Sequence, residues 1–264
     1  PFFVKERANF KFKLFNVVNT MFAGLLNTTG FSDIDFSSLR VVVGGVMAVQ
    51  PSVAREWHEV TGKPIVQGYG LTETSPAAVC NTIDGEFSGS IGLPIPSTEA
   101  MIAGDDGNEL EVGEVGEICL KGPQVMEGYW QRPAETAEVM LPGGWLRTGD
   151  IGRMDDNGFI YIEDRKKDLI LVSGFNVYPN EVENVVVEMD GILEAAAIGV
   201  ADEKSGEVVK VFAVRTSNHV TEQDVIDYCR ENLTGYKRPK LVEFRDDLPK
   251  TNVGKILRRA LRDE

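Results

Sequence analysis

The chain has 264 residues, with 27 basic and 41 acidic side chains, a net charge of −14 and 42% hydrophobic residues, which is enough for one large core or two domains. So acidic a balance argues against nucleic acid and anionic membrane as bulk partners, because long-range repulsion opposes the encounter. The three cysteines, Cys80, Cys119 and Cys229, lack the close pairing of a zinc site or redox motif and fit a reducing cytoplasm, each as a small buried apolar residue.

The opening PFFVKERANFKFKLF, without a methionine or an evident cleavable signal, reads like the middle of a longer polypeptide. The apolar run from Leu14 to Leu26 is interrupted by Asn16, Asn19 and Thr20 and preceded by Lys5, Arg7, Lys11 and Lys13. It falls short of the roughly 20 residues that a membrane span requires. The run reads as a buried or interfacial helix, with ordinary core a better account of its Phe and Leu content than an apolar ligand channel. RVVVGG (40–45) is a branched aliphatic strand emptying into a tight loop. A helix follows, with Pro51 in its first turn, Val53, Trp57 and Val60 at helical spacing and Gly62 as its stop. KPIVQGYG repeats the strand-to-loop pattern. Strand, helix, strand predicts a parallel pair whose loops open at one edge of the sheet, where ligands usually sit.

From about 88 to 163 the texture changes to alternating runs such as GEICLKG and GFIYIED, punctuated by GDDGNE, PGG and DDNG. These are hairpins of a small antiparallel sheet or barrel. Beyond Arg165 the pattern predicts strands at DLILVS, LEAAAIGVAD, VVKVFAVR and KLVEFRD. It also predicts helices at PNEVENVVVEM and at TEQDVIDYCREN, the latter capped by Thr221. The expected division is residues 1–164 and 165–264, with the junction near Asp164 in EDRKKD. The first part carries 11 basic and 23 acidic residues and the second 16 and 18. Nine basic residues against three acidic ones crowd into 237–262, a stretch that reads either as a solvated face or as a holder of polyphosphate.

QGYGLTETS (67–75) is the densest candidate site. The glycines Gly68 and Gly70 let backbone amides approach a ligand, the Thr72 hydroxyl can donate to an anionic oxygen, and Glu73 is a hard oxygen ligand suited to Mg²⁺. Tyr69 could lay its face on a purine. A polar turn around a buried tyrosine explains the same residues equally well. GWLRTGD ends on Asp150, whose two oxygens could accept both hydroxyls of a ribose. Lys255 is, on residue type alone, one lysine at the start of a basic helix.

QGYGLTETSP, GWLRTGDIGRMDDNGFIYIEDRKKDLILVSGFNVYPNEVE and PKTNVGKILRR, in this order and spacing, resemble the adenylate-forming superfamily of acyl-CoA synthetases, luciferases and peptide-synthetase adenylation domains. GGWLRTGD, RKKDLILVSGFNVYPNEVE and TGYKRP look like bacterial long-chain fatty acyl-CoA ligases in particular. The resemblance runs from about Val41 onward. It implies an α/β and α+β fold: the end of a large adenylation domain, made of a parallel strand–helix–strand and a small antiparallel β subdomain, then a small mobile C-terminal α+β domain. It further implies that Thr72 binds the α-phosphate of ATP, Glu73 its Mg²⁺ and Tyr69 its adenine, with Gly68 in the same loop and Gly44 and Gly45 lining the place where acyl group and adenine meet. Asp150 and Arg165 would hold the ribose, Asp164 would be the hinge, and Gly174 would leave room in a coenzyme A thiol channel. Lys255 would bridge the carboxylate and the α-phosphate during adenylation. The reaction implied is ATP-dependent activation of a fatty acid as acyl adenylate, then transfer to coenzyme A. The family's upstream phosphate loop is missing, so the residues correspond to the C-terminal half of such an enzyme and are expected to be inactive alone. The resemblance also makes peripheral contact with the inner membrane and a homodimer plausible. Two other readings are a ligase for an aryl or short-chain carboxylate and a non-catalytic nucleotide-binding module.

Overall fold

The computed structural model describes residues 2–7, 10–45, 49–83, 85, 87–217, 219–251 and 254–263. They group into two compact units, residues 1–148 with 152–162, and residues 149–151 with 163–264.

In the first unit a short helix α1 (Phe2–Arg7) is followed by β1 (Leu14–Val17) and α2 (Asn19–Leu26). The run expected as a single helix is therefore a strand and then a helix. Pairing decides this: β1 lies parallel to β2 (Val41–Gly44), with Leu14 opposite Val41 and Val17 opposite Gly44. Four residues are too few to reveal their own period, so a partner distant in sequence sets their conformation. α3 (Pro51–Thr61) begins on its proline and ends at Gly62, whose left-handed backbone (φ 67°) lets its N–H donate to the His58 carbonyl. β3 (Ile65–Tyr69) then returns parallel to β2, which is the predicted strand–helix–strand. β4 (Val79–Cys80) and β5 (Leu93–Pro94) extend the sheet antiparallel, in the order β1-β2-β3-β4-β5. Under the sheet, the buried ring of Trp57 stacks on Phe15 at 5.6 Å and meets Phe22 edge-on at 4.7 Å. Each such pair adds about 1 kcal/mol to the burial of its rings, so β1, α2 and α3 are tied to one core.

The antiparallel region consists of β6 (Glu99–Ala103), β7 (Gly116–Lys121), α4 (Pro133–Val139), β8 (Met140–Leu141), β9 (Trp145–Met154) and β10 (Ile160–Arg165). The sheet runs β10-β9-β7-β6, with β8 on β9. Gly149–Ile151 of β9 and the end of β10 from Glu163 group with the second unit. Helix α4 is absent from the hairpin reading. It buries no residue, so it carries no apolar stripe to announce it.

The second unit continues through β11 (Ile170–Val172), β12 (Phe175–Val177), α5 (Pro179–Val187), β13 (Ile192–Asp202), β14 (Gly206–Arg215), α6 (Glu222–Asn232), β15 (Leu241–Phe244) and α7 (Arg258–Arg262). Its sheet is ordered β12-β11-β14-β13, with β15 parallel to β14. Alternate residues of the central strands face different cores. Ala195, Ala197, Val209 and Val211 pack with Val182 and Val186 of α5 and Val225 and Cys229 of α6, whereas Ala196, Ile198, Phe212 and Val214 pack with Leu248 and Leu261. Burial on both faces is why LEAAAIGVAD and VVKVFAVR read as nearly unbroken apolar runs. Thr221 caps α6 as predicted: its Oγ1 accepts from the Asp224 N–H while the Asp224 carboxylate accepts from the Thr221 N–H. The mixed α/β and α+β architecture is the one expected from the sequence.

Candidate active site

β3 delivers QGYGLTETS at the carboxyl end of the parallel strands. The chain turns immediately after it at Gly70, where a β-carbon would fall 1.6 Å from the Pro76 carbonyl oxygen, so no other residue fits. Thr72–Thr74 then form one 3₁₀ turn. The turn sorts the three hydroxyls. Thr74 is fully buried, its Oγ1 accepting from the Leu71 N–H at 2.9 Å and lying 3.0 Å from the Pro76 carbonyl. Ser75 ends the turn with a left-handed backbone. Thr72 is exposed, and no described residue hydrogen-bonds its hydroxyl. Thr72 is therefore the one placed to meet an anionic oxygen. Tyr69 is half-buried and packs partly on the core formed by Ala78, Val79 and Ile91.

Glu73 is held by a segment that the sequence did not connect to it. Its Oε1 accepts from the Tyr129 hydroxyl at 2.8 Å and its carbonyl accepts from the Met126 N–H at 2.8 Å. Donation to Glu73 raises the Tyr129 pKa above that of a free phenol. Among the described residues no donor reaches Oε2 of Glu73. Nor does any group of three or more His, Cys, Asp or Glu side chains among them suffice for a metal. One available carboxylate oxygen suits Mg²⁺, which is held through one or two carboxylates together with substrate phosphates. Gly44 is buried, and a β-carbon there would approach methyl groups of Val49 and Ile65 to 2.7 and 2.9 Å. That glycine is demanded by packing, whereas Gly45 borders the Gly68 carbonyl at the strand's end. A cavity of about 650 Å³ in this unit is lined by Arg40, which precedes β2, and by Lys63 and Pro64, which precede β3. It thus lies at the amino ends of these strands, away from the loops described here.

In the second unit Asp150, Arg165 and Lys255 come together. Asp150 is buried and its Oδ1 accepts from Arg165 Nε at 2.7 Å. Lys255 sits in a hairpin, not in a helix start. Lys250 bridges Ile256, Thr251 Oγ1 accepts from the Lys255 N–H at 3.1 Å, and Gly254 turns left-handed with φ 81°. The basic stretch around it is largely neutralised. Lys237 pairs with Glu181, Arg245 with Glu243, Lys250 with Glu194 and Asp247, Arg259 with Asp263, and Arg262 with Asp168. Lys255 makes no such pair among the described residues. Burial lowers its pKa, as does the positive charge of Arg165, with Asp150 opposing them.

Asp164 is buried, its oxygens accepting from the N–H groups of Arg165 and Asn180, both at 2.7 Å. Arg258 lies 3.7 Å away and binds Glu183 through two short hydrogen bonds. Burial pushes the Asp164 pKa from 3.8 up to about 6. A carboxyl that keeps its proton to about 6 when folded and only to 3.8 when unfolded favours the fold fully below 3.8. That contribution, roughly 3 kcal/mol, is lost as pH rises through 6. Urea unfolding between about pH 4 and 7 should therefore show stability falling with pH, and Asp164→Asn should flatten the slope; an unchanged slope would assign it to another group.

Gly174 lies in the turn between β11 and β12 with φ 84°, and a β-carbon there would meet nothing within 4 Å. Beside it the Phe175 ring stacks on Tyr236 at 4.9 Å. Tyr236, Arg230, Arg238 and Lys240 rim a groove of about 430 Å³ floored by Val172, Val208 and Ile226. The sequence hinted at this groove only through its basic excess. All three cysteines are free, Cys119 and Cys229 buried and Cys80 half-buried. No helix among the described residues is long and apolar enough to cross a membrane.

A glycine-bounded loop at the carboxyl end of parallel strands and a half-buried, unpaired lysine among the described residues of the second unit suit a nucleotide-handling enzyme of the adenylate-forming kind. Residues 2–130 match the model of the AMP-binding enzymes, and 181–255 that of the AMP-binding enzyme C-terminal domain. The chain belongs to the AMP-binding enzyme family. It is 56% identical over 265 residues to a long-chain-fatty-acid–CoA ligase of Escherichia coli O6:H1, covering 100% of this chain and 47% of that protein. It is 46% identical to the ligase of the same description from Bacillus subtilis, covering 95% of this chain and 45% of that protein. The chain thus spans about half the length of these relatives. Among solved structures it superposes on ATP-bound MatB from Rhodopseudomonas palustris with a TM-score of 0.92 at 32% identity, covering 99% of this chain and 52% of that one. The o-succinylbenzoate CoA synthetase of Bacillus subtilis, in complex with its acyl-adenylate intermediate, gives 0.87 at 34% identity, covering 99% and 53%.

Proposed function

We propose that these residues are the C-terminal half of an ATP-dependent ligase that joins a long-chain fatty acid to coenzyme A through an acyl adenylate. The observation that carries this is the half-buried ammonium of Lys255, unpaired among the described residues beside Asp150 and Arg165 in a stretch whose other cations are mostly matched by carboxylates. A binding module has no need of such a cation, whereas a reaction that brings an anionic carboxylate onto an anionic phosphate does. The names of the relatives in Escherichia coli and Bacillus subtilis favour a long-chain fatty acid as the substrate.

In the first half-reaction a carboxylate oxygen of the fatty acid attacks the α-phosphorus of ATP, and pyrophosphate leaves with the electrons of the broken P–O bond. Thr72 donates to the α-phosphate, and Glu73 is the residue that would hold Mg²⁺. Mg²⁺, when bound, offsets phosphate charge. Tyr69 faces the adenine beside Gly68, with Gly44 and Gly45 behind the loop. Asp150 accepts the ribose hydroxyls and Arg165 both fixes Asp150 and donates to the same sugar. Lys255 bridges the attacking carboxylate and the α-phosphate, so it stabilises the transition state more than either reactant. In the second half-reaction the coenzyme A sulfur attacks the acyl carbon, a C–S bond forms and AMP leaves. Gly174 leaves space for the thiol arm, and the cationic, aromatic rim at Tyr236, Arg238 and Lys240 suits a phosphorylated adenosine. Residues 165–264 act as a small mobile domain turning at Asp164, whose side chain is anchored to Asn180 and Arg258. Mobile domains of this kind gate successive steps in other enzymes.

Carboxylate-dependent ATP–pyrophosphate exchange by the full-length ligase, across acids of graded length, is the test. Activity should rise toward long chains, and the 264-residue chain alone should form no thioester. A preference for aryl or short-chain acids would overturn the substrate, and thioester formation by the chain alone would overturn its reading as an incomplete enzyme.

A further inference from the structure

The hydrogen bond from Tyr129 to Glu73 joins two places 56 residues apart in sequence, and it does not stand alone. Glu73 is gripped at both ends, its carboxylate by the Tyr129 hydroxyl and its main-chain carbonyl by the Met126 N–H, both at 2.8 Å. Tyr129 is itself fixed. Its N–H donates to Thr136 Oγ1 at 2.9 Å, and that hydroxyl donates in turn to the Arg132 carbonyl at 2.8 Å, in the first turn of α4. Gly128 allows the approach: a β-carbon there would fall 2.7 Å from the Thr136 methyl. The segment 126–136 is thus a brace whose contact with the TET turn is aimed at one carboxylate.

We infer that Tyr129 is a positioning residue that fixes the Glu73 carboxylate, occupying Oε1 and leaving Oε2 as the oxygen for the divalent cation. The inference rests on the reading of Glu73 as a metal ligand. A carboxylate free to rotate about its last torsion offers either or both oxygens and must be ordered when the ion binds. One already held by a phenol presents a single oxygen in one direction, which suits the strict octahedral demand of Mg²⁺. Partners that orient metal ligands in this way typically contribute 10- to 100-fold to metal affinity. A brace that only supported the fold would contribute nothing to that affinity.

The test is Mn²⁺ binding to the full-length ligase, followed by the free-ion resonance signal with a non-hydrolysable ATP analogue present. Tyr129→Phe, which removes one oxygen atom, should weaken Mn²⁺ about tenfold while the melting temperature stays within a few degrees. Glu73→Gln should weaken it at least as much. The double variant should bind no worse than Glu73→Gln alone, because the phenol acts only through that carboxylate. Wild-type Mn²⁺ affinity in Tyr129→Phe, or a double variant whose loss is the product of the two single losses, would overturn the positioning role while leaving Glu73 as a ligand. Unchanged affinity in Glu73→Gln would remove the metal-ligand reading and this inference together.

Discussion

Replacing Lys255 by alanine in the full-length ligase should lower carboxylate-dependent pyrophosphate exchange by about 10²- to 10³-fold, the usual loss when one preorganised electrostatic group is taken from a transition state. Thioester formation from supplied acyl adenylate should persist, because in that step the sulfur attacks the acyl carbon and nothing attacks the α-phosphorus that Lys255 serves. The expectation follows from the surroundings of the ammonium. It is partly withdrawn from water, and Arg165 and Arg258 repel it while Asp150 and Asp168 attract it, so its charge is poorly satisfied until an anionic reactant arrives. Burial and the arginines lower its pKa. Exchange should therefore decline with the loss of the ammonium at a lower pH than a free lysine would allow. Arginine should rescue little, since its planar fork cannot replace a compact charge on a flexible stem. Loss of both half-reactions in Lys255→Ala would show that the division of labour is wrong.

The largest effect on stability is expected from Arg258. Its side chain is 11% exposed and hydrogen-bonds Glu183, Asn180 and Asp168, with Asp164 at 3.7 Å. Burial opposes its charge, but the hydrogen bonds and charge of Glu183 outweigh that cost and raise its pKa. Arg258→Ala would leave the carboxylates of Asp164, Glu183 and Asp168 facing one another with their main counter-charge gone. Breaking a buried pair from one side costs about 3 to 5 kcal/mol. Urea unfolding, read through amide exchange at Val182 and Val186 of α5, should register that loss in the second unit. Adding Glu183→Gln to Arg258→Ala should recover part of it, as the remaining buried charge is reduced. A loss under about 1 kcal/mol would mean that water reaches the cluster and screens it.

Much of the architecture was legible because it is written in local patterns. Val41–Gly44 is a short aliphatic run that ends in glycine, Ile65–Tyr69 starts on Ile-Val and empties into Gly70, Pro51 and Gly62 bracket α3, and Thr221 with Asp224 spells out the start of α6. Each depends on a few neighbouring residues, so each can be read from them. Leu14–Val17 could not be read in this way, since its strand exists only by pairing with Val41–Gly44. Helix α4 was invisible because it buries no residue.

The candidate site divides along the same line. By itself the sequence determined which chemistry is present: hydroxyls, a carboxylate and an aromatic ring in QGYGLTETS, an aspartate ending GWLRTGD, and a lysine in PKTNVGK. Tertiary structure alone decided which group is left for a ligand. It buried Thr74 and exposed Thr72, tied Glu73 to Tyr129, brought Arg165 onto Asp150, and matched most of the basic stretch with carboxylates while leaving Lys255 unpaired among the described residues. The reason is physical. Residue type sets what a side chain can donate, accept or carry as charge, but whether that capacity is already spent depends on partners that only folding brings within reach.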